Sequence, residues 1–489
     1  MENKQLILSP REAFIAEQQW RIVKRSVDAR QRELRVHLTI LTDDEGNPIP
    51  KDASIPLYAP PVFQDVHTAG RSAVIIGAGP AGLFAALTLL EHGIKPIIYE
   101  RGKEVSERKK DIALLNRNEG LNPESNYCFG EGGAGTFSDG KLFSRSKKRG
   151  NMQRVMELFH YFGAPDTVLY EAHAHIGSDK LPGIIKRMRE CILEHGGEIH
   201  FETKVESLTP YTKHHTPIIL AIGHSAHDTY RMLAAEGVAM ETKGFAMGVR
   251  IEHPQSLINR LMYHNASTEY VGNASYSLVT QVEGRGVYSF CMCPGGHIVP
   301  AGSEKGMCVV NGMSASHRNS PYANSGMVVQ INPEDISGDD LLRGLTFQEE
   351  LERLAFEHGK APNIAPAQRM KDFVEGKASK DLPACSYLPG IVSSRLDQWL
   401  PPHIGKRLQQ GFRDFDRKYP GFLTNDAVIV GVESRSSSPV RIIRDPETLQ
   451  SISTPLLYPC GEGAGYAGGI TSSALDGINA ALKIADLAQ

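Results

Sequence analysis

The chain is predicted to be an α/β protein. A discontinuous parallel-sheet domain is interrupted by an inserted α+β domain and preceded by a small α+β unit. Three observations predict this. A buried strand, a glycine turn, a helix and a second strand run from Val74 to Glu100. A strand, glycine loop and helix recur from Leu456 to Gln489. Between them, from Gly244 to about Thr424, the pattern changes to scattered β segments mixed with helices. At 489 residues the chain exceeds one hydrophobic core. The expected divisions are 1–68, 69–243, 244–424 and 425–489.

In the first unit, Gln5–Leu8 reads as a short strand, and Phe14–Val27 as an amphipathic helix burying Phe14, Ile15, Ile22 and Val23. Val36, Leu38 and Ile40 alternate with His37 and Thr39, as in a half-buried strand. Asp43, Asp44, Gly46, Asn47 and Pro48 mark a turn, and Pro56, Pro60 and Pro61 a stiff linker. Docking, a dimer contact or a catalytic part are the roles open to this unit.

The second domain opens on Gly77-Ala78-Gly79-Pro80-Ala81-Gly82. In the G-x-G-x-x-G spacing the first glycine allows a tight turn. The second lets backbone N–H groups approach a pyrophosphate, and the third lets the helix pack close to the strand. The phosphates then sit at a helix N-terminus, where unpaired N–H groups favour negative charge. Glu100, followed by Arg101, ends the second strand near the offset of about 20 residues expected for an acid that binds a ribose. This is a Rossmann-type dinucleotide signature. Leu181–His195 has helical spacing, Glu198–Phe201 and Lys204–Leu208 read as strands, and Pro217–Ile222 as a buried strand running into Ala221-Ile222-Gly223-His224. In the inserted domain, Gly248–Glu252, Tyr288–Cys291 and Cys308–Asn311 read as β segments and Leu341–Glu357 as a helix.

Composition excludes several partners. Apolar residues make up 41% and charged residues 22%, which describes an ordinary globular chain. A net charge of −3 gives no electrostatic case for nucleic acid or an anionic membrane. The one basic run, Arg145, Lys147, Lys148 and Arg149, is either a solvated loop or a site for a phosphorylated cosubstrate. Seven cysteines without a framework of spacings suggest a reduced compartment. The N-terminus lacks the apolar stretch of a secretory signal, and the apolar run Ala73–Leu90 is divided by its glycine turn. A cytoplasmic protein is expected, with a homo-oligomer compatible with the sequence.

Two further glycine-rich stretches carry chemistry. Cys128–Lys141 holds Gly130, Gly132, Gly133, Gly135 and Gly140, and glycine loses much backbone entropy on ordering. Wrapping backbone amides of Gly133, Ala134 and Gly135 around a phosphate or flavin ring would justify that cost, with Thr136, Ser138 and Lys141 as added donors beside Asp139. The alternative is a flexible surface loop. The other stretch, Cys460-Gly461-Glu462-Gly463, leads through Gly469 and Ile470 into a helix. An acid there would hold a ribitol hydroxyl, and the helix N-terminus would face the pyrophosphate or the flavin.

Cys291-Met292-Cys293-Pro294-Gly295-Gly296 is the catalytic candidate outside these loops, because a turn directly after two thiols would present them to a cleft. The competing reading is two small buried side chains in a β segment. His173, His175, His224 and His227 are read as polar loop residues, and no metal site is expected.

Together G-A-G-P-A-G, the strand-end acid, the A-I-G at Gly223 and the late G-E-G-x-G resemble the FAD-binding fold of the glutathione-reductase-like family. More narrowly, Gly132–Lys141, Ala221–Tyr230, Gly248–His253, Cys291–Gly296, Gly431–Pro439 and Cys460–Gly469 resemble the uncharacterised bacterial FAD-dependent dehydrogenases, a group of NAD(P)/FAD-dependent oxidoreductases. The resemblance implies FAD, with Gly77–Gly82 at the pyrophosphate, Glu100 at the adenosine ribose, Val205 at the adenine through its backbone and Glu462 at the ribitol. One departure is Glu462, where the broad family has Asp. No second G-x-G-x-x-G follows a strand, so NADH or NADPH would visit only transiently. The expected function is an FAD-dependent oxidoreductase passing a hydride through flavin N5 to or from a small substrate. A flavin monooxygenase and a non-catalytic, FAD-ordered binding protein are the alternatives.

Overall fold

The computed structural model describes residues 1–142, 150–212 and 215–486. The N-terminal unit is a three-stranded antiparallel sheet, β1 (Glu2–Leu8), β2 (Ile22–Asp28) and β3 (Arg35–Thr42), with β3 in the middle. Helix α1 (Pro10–Gln19) begins on a capping box, in which Ser9 and Glu12 satisfy each other's backbone N–H groups. It stops at Trp20, so the expected helix over Phe14–Val27 is corrected. Its second half is β2, where the β-branched Ile22, Val23 and Val27 favour a pleated strand. The buried face of α1 is Ala13 and Ala16 on Val36 and Leu38, whereas Phe14, Ile15 and Val23 are exposed.

The cofactor-type domain is a five-stranded parallel sheet in the order β19-β7-β4-β5-β6, with β4 (Ser72–Ile76), β5 (Lys95–Tyr99), β6 (Glu198–His200), β7 (Ile218–Leu220) and β19 (Leu457–Pro459). Helix α2 (Pro80–Glu91) makes the β4–β5 crossover. Leu83, Phe84, Leu87, Leu89 and Leu90 are fully buried there, each worth roughly 1.5–3 kcal/mol. The C-terminal helix Ile470–Asp486 packs on α2 so closely that a Cβ on Gly477 would lie 2.0 Å from the Ala81 carbonyl oxygen. Lys204–Leu208 forms no strand ladder, contrary to expectation.

The third unit is a seven-stranded sheet. Its members are β9 (Phe245–Pro254), β10 (Val279–Val282), β11 (Arg285–Cys293), β14 (Tyr322–Ile331), β15 (Ala365–Arg369), β16 (Ile391–Ser393) and β17 (Val428–Glu433). Their order is β10-β11-β14-β9-β17-β15-β16, antiparallel except for β15–β16. β17 lies in this sheet although the expected division at 424/425 put it with the C-terminal segment. Two small antiparallel pairs complete the strands: β8 (Met240–Thr242) with β18 (Val440–Ile442), and β12 (His297–Pro300) with β13 (Val310–Met313). Among the described residues no helix is long and apolar enough to cross a membrane.

Candidate functional site

In the parallel sheet the chain leaves β4 for β5 and β6 on one side, then returns to β7 and β19 on the other. Such a reversal opens a crevice at the carboxyl ends of the strands, here between β4 and β7. Gly77 turns there at φ +104°, and a Cβ on it would lie 2.4 Å from the Ala221 oxygen. A Cβ on Gly82 would lie 2.0 Å from the Gly77 oxygen. Both glycines are therefore demanded by close packing. Gly79 differs. It is the extended N-cap of α2, no side chain caps it, and a Cβ would make only ordinary contact with Gly133 Cα at 3.8 Å. The first-turn amides thus open onto the crevice and fit an anion such as a pyrophosphate.

The Cys128–Lys141 loop is ordered, and its clamp is a side chain the sequence did not flag. Arg108, fully buried, donates to the carbonyls of Asn126 (2.8 Å), Tyr127 (3.1 Å), Gly130 (3.2 Å) and Glu131 (2.7 Å). Burial without a bonded carboxylate lowers this guanidinium to about 10. Glu100 stitches loop to turn: one oxygen accepts from Ala78 N–H at 2.8 Å, the other from Gly102 at 2.8 Å and Gly130 at 3.0 Å. Its carboxylate keeps lone-pair capacity for a ribose hydroxyl. Glu131 accepts from Val105 N–H at 2.7 Å, and burial pushes it up to about 7. Thr136 and Ser138, expected as donors to a cofactor, donate to the Glu131 and Gly135 carbonyls. Gly133, Ala134 and Gly135 form one 3-10 turn, and a Cβ on Gly135 would lie 2.9 Å from Ile470 at the start of the C-terminal helix.

The other rim of the crevice converges on the same point. Gly223 turns at φ +70° with open space beside it, and a Cβ on Gly463 would lie 2.5 Å from the Gly223 oxygen. Tyr230 donates to the Gly463 carbonyl at 2.7 Å. Asp476, held by Arg444 at 2.7 Å, accepts from Gly461 N–H at 2.8 Å. Glu462 stands 3.6 Å from His224 Nδ1. Gly469 sits at φ +131° before the helix. Two expected cofactor residues have other neighbours. Arg101 bonds Glu124 and Asp228 and lies over the Phe129 ring, and Val205 packs in the apolar cluster of Val74 and Ile76.

At the end of the glycine loop, side chains take over. Asp139 is buried against Arg318 (3.0 Å), whose attraction with that of Lys141 overcomes burial and holds the carboxyl below the usual range. Lys141 reaches from the cofactor domain into the seven-stranded sheet. Its ammonium donates to the Met292 carbonyl and lies 4.0 Å from Cys291 Sγ and 3.9 Å from Cys293 Sγ. From below, Arg250 on β9 donates to the Cys291 carbonyl at 2.7 Å, to Glu433 at 2.9 Å and to Asn324 at 2.8 Å, and lies 3.6 Å from Cys293 Sγ. Burial pushes Glu433 up to about 7 against the pull of Arg250. β11 carries a bulge between Phe290 and Cys293, where Cys291 and Met292 together oppose Ser325. Cys291 takes φ +46°, a left-handed conformation costing about 1–3 kcal/mol outside glycine. The Cys293 thiol donates to the Cys291 carbonyl at 3.3 Å. The neighbouring Cys293 thiol, then Lys141 and Arg250, hold Cys291 well below the ordinary thiol value, and Cys293 is pushed up in return.

The structure therefore brings Lys141, Cys291 and Cys293 together. It adds Arg250 and Glu433, whose one sequence signal is charge at inward positions of apolar strands. The basic run Arg145–Arg149 lies outside the described residues. His227, Glu304 and Glu349 bring ligand-type atoms within 4.8 Å of one another, although Arg231 already bonds Glu349 at 2.7 Å.

Residues 71–267 match the FAD binding domain family, and residues 244–436 match the family described as FAD-dependent protein, C-terminal domain-like. A Clostridium beijerinckii protein, called only an uncharacterized protein, is 46% identical over 428 residues, covering 84% of this chain and 80% of its own. Solved structures align more distantly. CtdE in complex with FAD gives 9% identity and a TM-score of 0.31, covering 85% of this chain and 84% of its own. The halogenase PltM gives 12% and 0.33, covering 85% and 68%. Scores this low transfer no activity. The two family matches and the close relative show that the chain belongs to the family of FAD-dependent proteins, with FAD as its cofactor.

Proposed function

We propose that the protein is an FAD-dependent oxidoreductase that passes a hydride through flavin N5 to or from a small substrate. The substrate would lie where the glycine loop meets the seven-stranded sheet. One observation carries this reading. Lys141, from the loop beside the dinucleotide turn, ends at Cys291, Met292 and Cys293 of the other domain, so cofactor and substrate elements share one junction.

The pyrophosphate would rest on the α2 amides of Ala81 and Gly82 beside Gly77, Ala78, Gly79 and Pro80. Glu100 would take the ribose, Val205 the adenine through its backbone, and Ala221, Gly223, Gly461 and Glu462 the ribitol side. The Gly133–Lys141 loop, with Thr136, Ser138 and Asp139, and the Gly469–Ile470 helix start would flank the ring. FAD supplies the two-electron carrier when bound. The chain supplies position and field. The N-terminus of the C-terminal helix favours a developing negative charge. Lys141, its side chain 35% exposed, would orient an anionic substrate group at the junction.

Anaerobic stopped-flow mixing with NADH, NADPH and a substrate panel tests the reading. Bleaching of the flavin absorbance by one of them is expected. Failure of every reductant to bleach it would overturn the oxidoreductase reading in favour of an FAD-ordered binding protein. Rapid reoxidation by oxygen with a hydroxylated product would instead identify the monooxygenase.

A further inference from the structure

We propose that Cys291 and Cys293 are a reversible dithiol/disulfide couple that exchanges with low-molecular-weight disulfides, Cys291 attacking and Cys293 resolving. Four observations carry it. Both sulfurs stand around one ammonium, Lys141 Nζ lying 4.0 Å from Cys291 Sγ and 3.9 Å from Cys293 Sγ, and the Cys293 thiol folds back to donate to the Cys291 carbonyl at 3.3 Å. The bulge compresses the backbone between them, because two residues of β11 oppose one of β14. Their accessibility is unequal: Cys291 is half-buried, whereas Cys293 is fully buried, as an attacking and a resolving thiol require. Two cations from different domains, Lys141 and Arg250, flank the sulfurs, and cations beside a thiol favour the thiolate that attacks.

The other five cysteines lack this setting. Cys308 and Cys460 are buried, where burial pushes the former up to about 12 and the latter above the ordinary range. Cys191 and Cys385 are pushed up by burial as well. Cys128 stands alone beside Arg435, with its thiol donating to the Ala301 carbonyl.

The exchange balances. The Cys291 thiolate attacks one sulfur of a disulfide RSSR, forming a Cys291–SR bond as the other half leaves as RS⁻. Cys293 then attacks the Cys291 sulfur, closing the internal disulfide and releasing the second half, which takes the Cys293 proton as RSH. Two electrons pass from the cysteine pair to RSSR, and excess RSH reverses both steps. The groups facing the pair, and so setting the pH at which it reacts, are Lys141, Asp139, Arg250, Glu433 and Tyr276. The couple requires no flavin chemistry, so it stands apart from the hydride reading.

The test is thiol mapping of the holoprotein in glutathione redox buffers, by acid quenching, alkylation and peptide mass measurement. Expected is a 291–293 disulfide whose fraction follows the glutathione ratio, the other five thiols staying reduced. Cys293→Ser should trap glutathione on Cys291. Lys141→Met should move the pH profile of Cys291 alkylation upward by about one unit or more, a tenfold loss of thiolate at a given pH below both values. Both cysteines remaining free at the oxidising limit would overturn the proposal. So would glutathionylation spread evenly over the seven cysteines, or a Cys293→Ser protein that takes no glutathione at Cys291. The wild-type map decides the first two of these outcomes even if a variant fails to fold.

Discussion

Between β4 and β7 the candidate surface is backbone: Gly77, Gly79, Gly82, Gly223 and Gly463 line the space, and helix amides face it. At the far end of the glycine loop the surface is side chain. Lys141, Arg250, Glu433 and two thiols meet from a loop and three strands far apart in sequence. In the first region a Cβ at Gly77, Gly82 or Gly463 would meet backbone at 2.4, 2.0 or 2.5 Å, so added atoms are excluded there by shape rather than by charge. The second tolerates no lost partner, because removing one member of a buried pair leaves the other desolvated and unpaired. Each region therefore fails in its own way. Steric change should disrupt the crevice, and charge deletion should disrupt the cluster.

The largest effect belongs to steric change. In Gly82→Val the new Cβ lies 2.0 Å from the Gly77 oxygen, so turn and helix must separate. Overpacking costs about 1–3 kcal/mol where neighbouring side chains can shift; the obstacle here is a backbone carbonyl of the turn, so the loss should exceed that of any charge deletion. Loss of both FAD retention and folded yield is expected, checked by absorbance of the purified protein and thermal unfolding. Next comes Arg250→Met, which strands Glu433 in the core. A loss of about 3–5 kcal/mol is expected, read by denaturant unfolding. FAD binding by whatever protein remains folded should survive, since Arg250 makes no contact with the crevice glycines; joint loss would erase the distinction between the regions.

The smallest effect falls on the boundary between them. Glu131 sits in the glycine loop yet behaves like a member of the charged cluster, with burial raising it to about 7 from 4.5. The folded chain therefore holds this proton more tightly than the unfolded chain does. Its contribution is complete below pH 4.5 and is lost as pH rises through 7, on the order of 3 kcal/mol. Glu131→Gln should flatten this part of the stability profile, so that variant and wild type agree near pH 4.5 and diverge in the variant's favour toward pH 8. Parallel profiles of Tm against pH would contradict the assignment.

The same contrast explains what the sequence reveals. The stretch Val74–Glu100 is legible because a glycine turn, an apolar strand and an apolar helix are local patterns, and the structure forms β4, α2 and β5 from them. The end of α1 is not legible. Helical spacing continues through Ile22 and Val23, but pairing of β2 with β3 wins over it. Nothing local in the sequence singles out Arg108, and only the loop folding back over it shows four carbonyls around its guanidinium. The pair Arg250–Glu433 is set by strand register across 183 residues, which no local pattern encodes. Cys291 and Cys293 stand out by spacing, but their cations come from elsewhere in the chain.

One substitution isolates the proposed seating of FAD on the backbone between β4 and β7. At Gly79 the protein alone has room for a Cβ, its nearest neighbour being Gly133 Cα at 3.8 Å, whereas a pyrophosphate on the α2 amides would leave none. The measurement is FAD bound per chain in Gly79→Ala, beside the Tm of the FAD-free protein. Unchanged stability with loss of bound FAD is the expected result. A variant that keeps FAD at the wild-type ratio and affinity would contradict this placement of the cofactor.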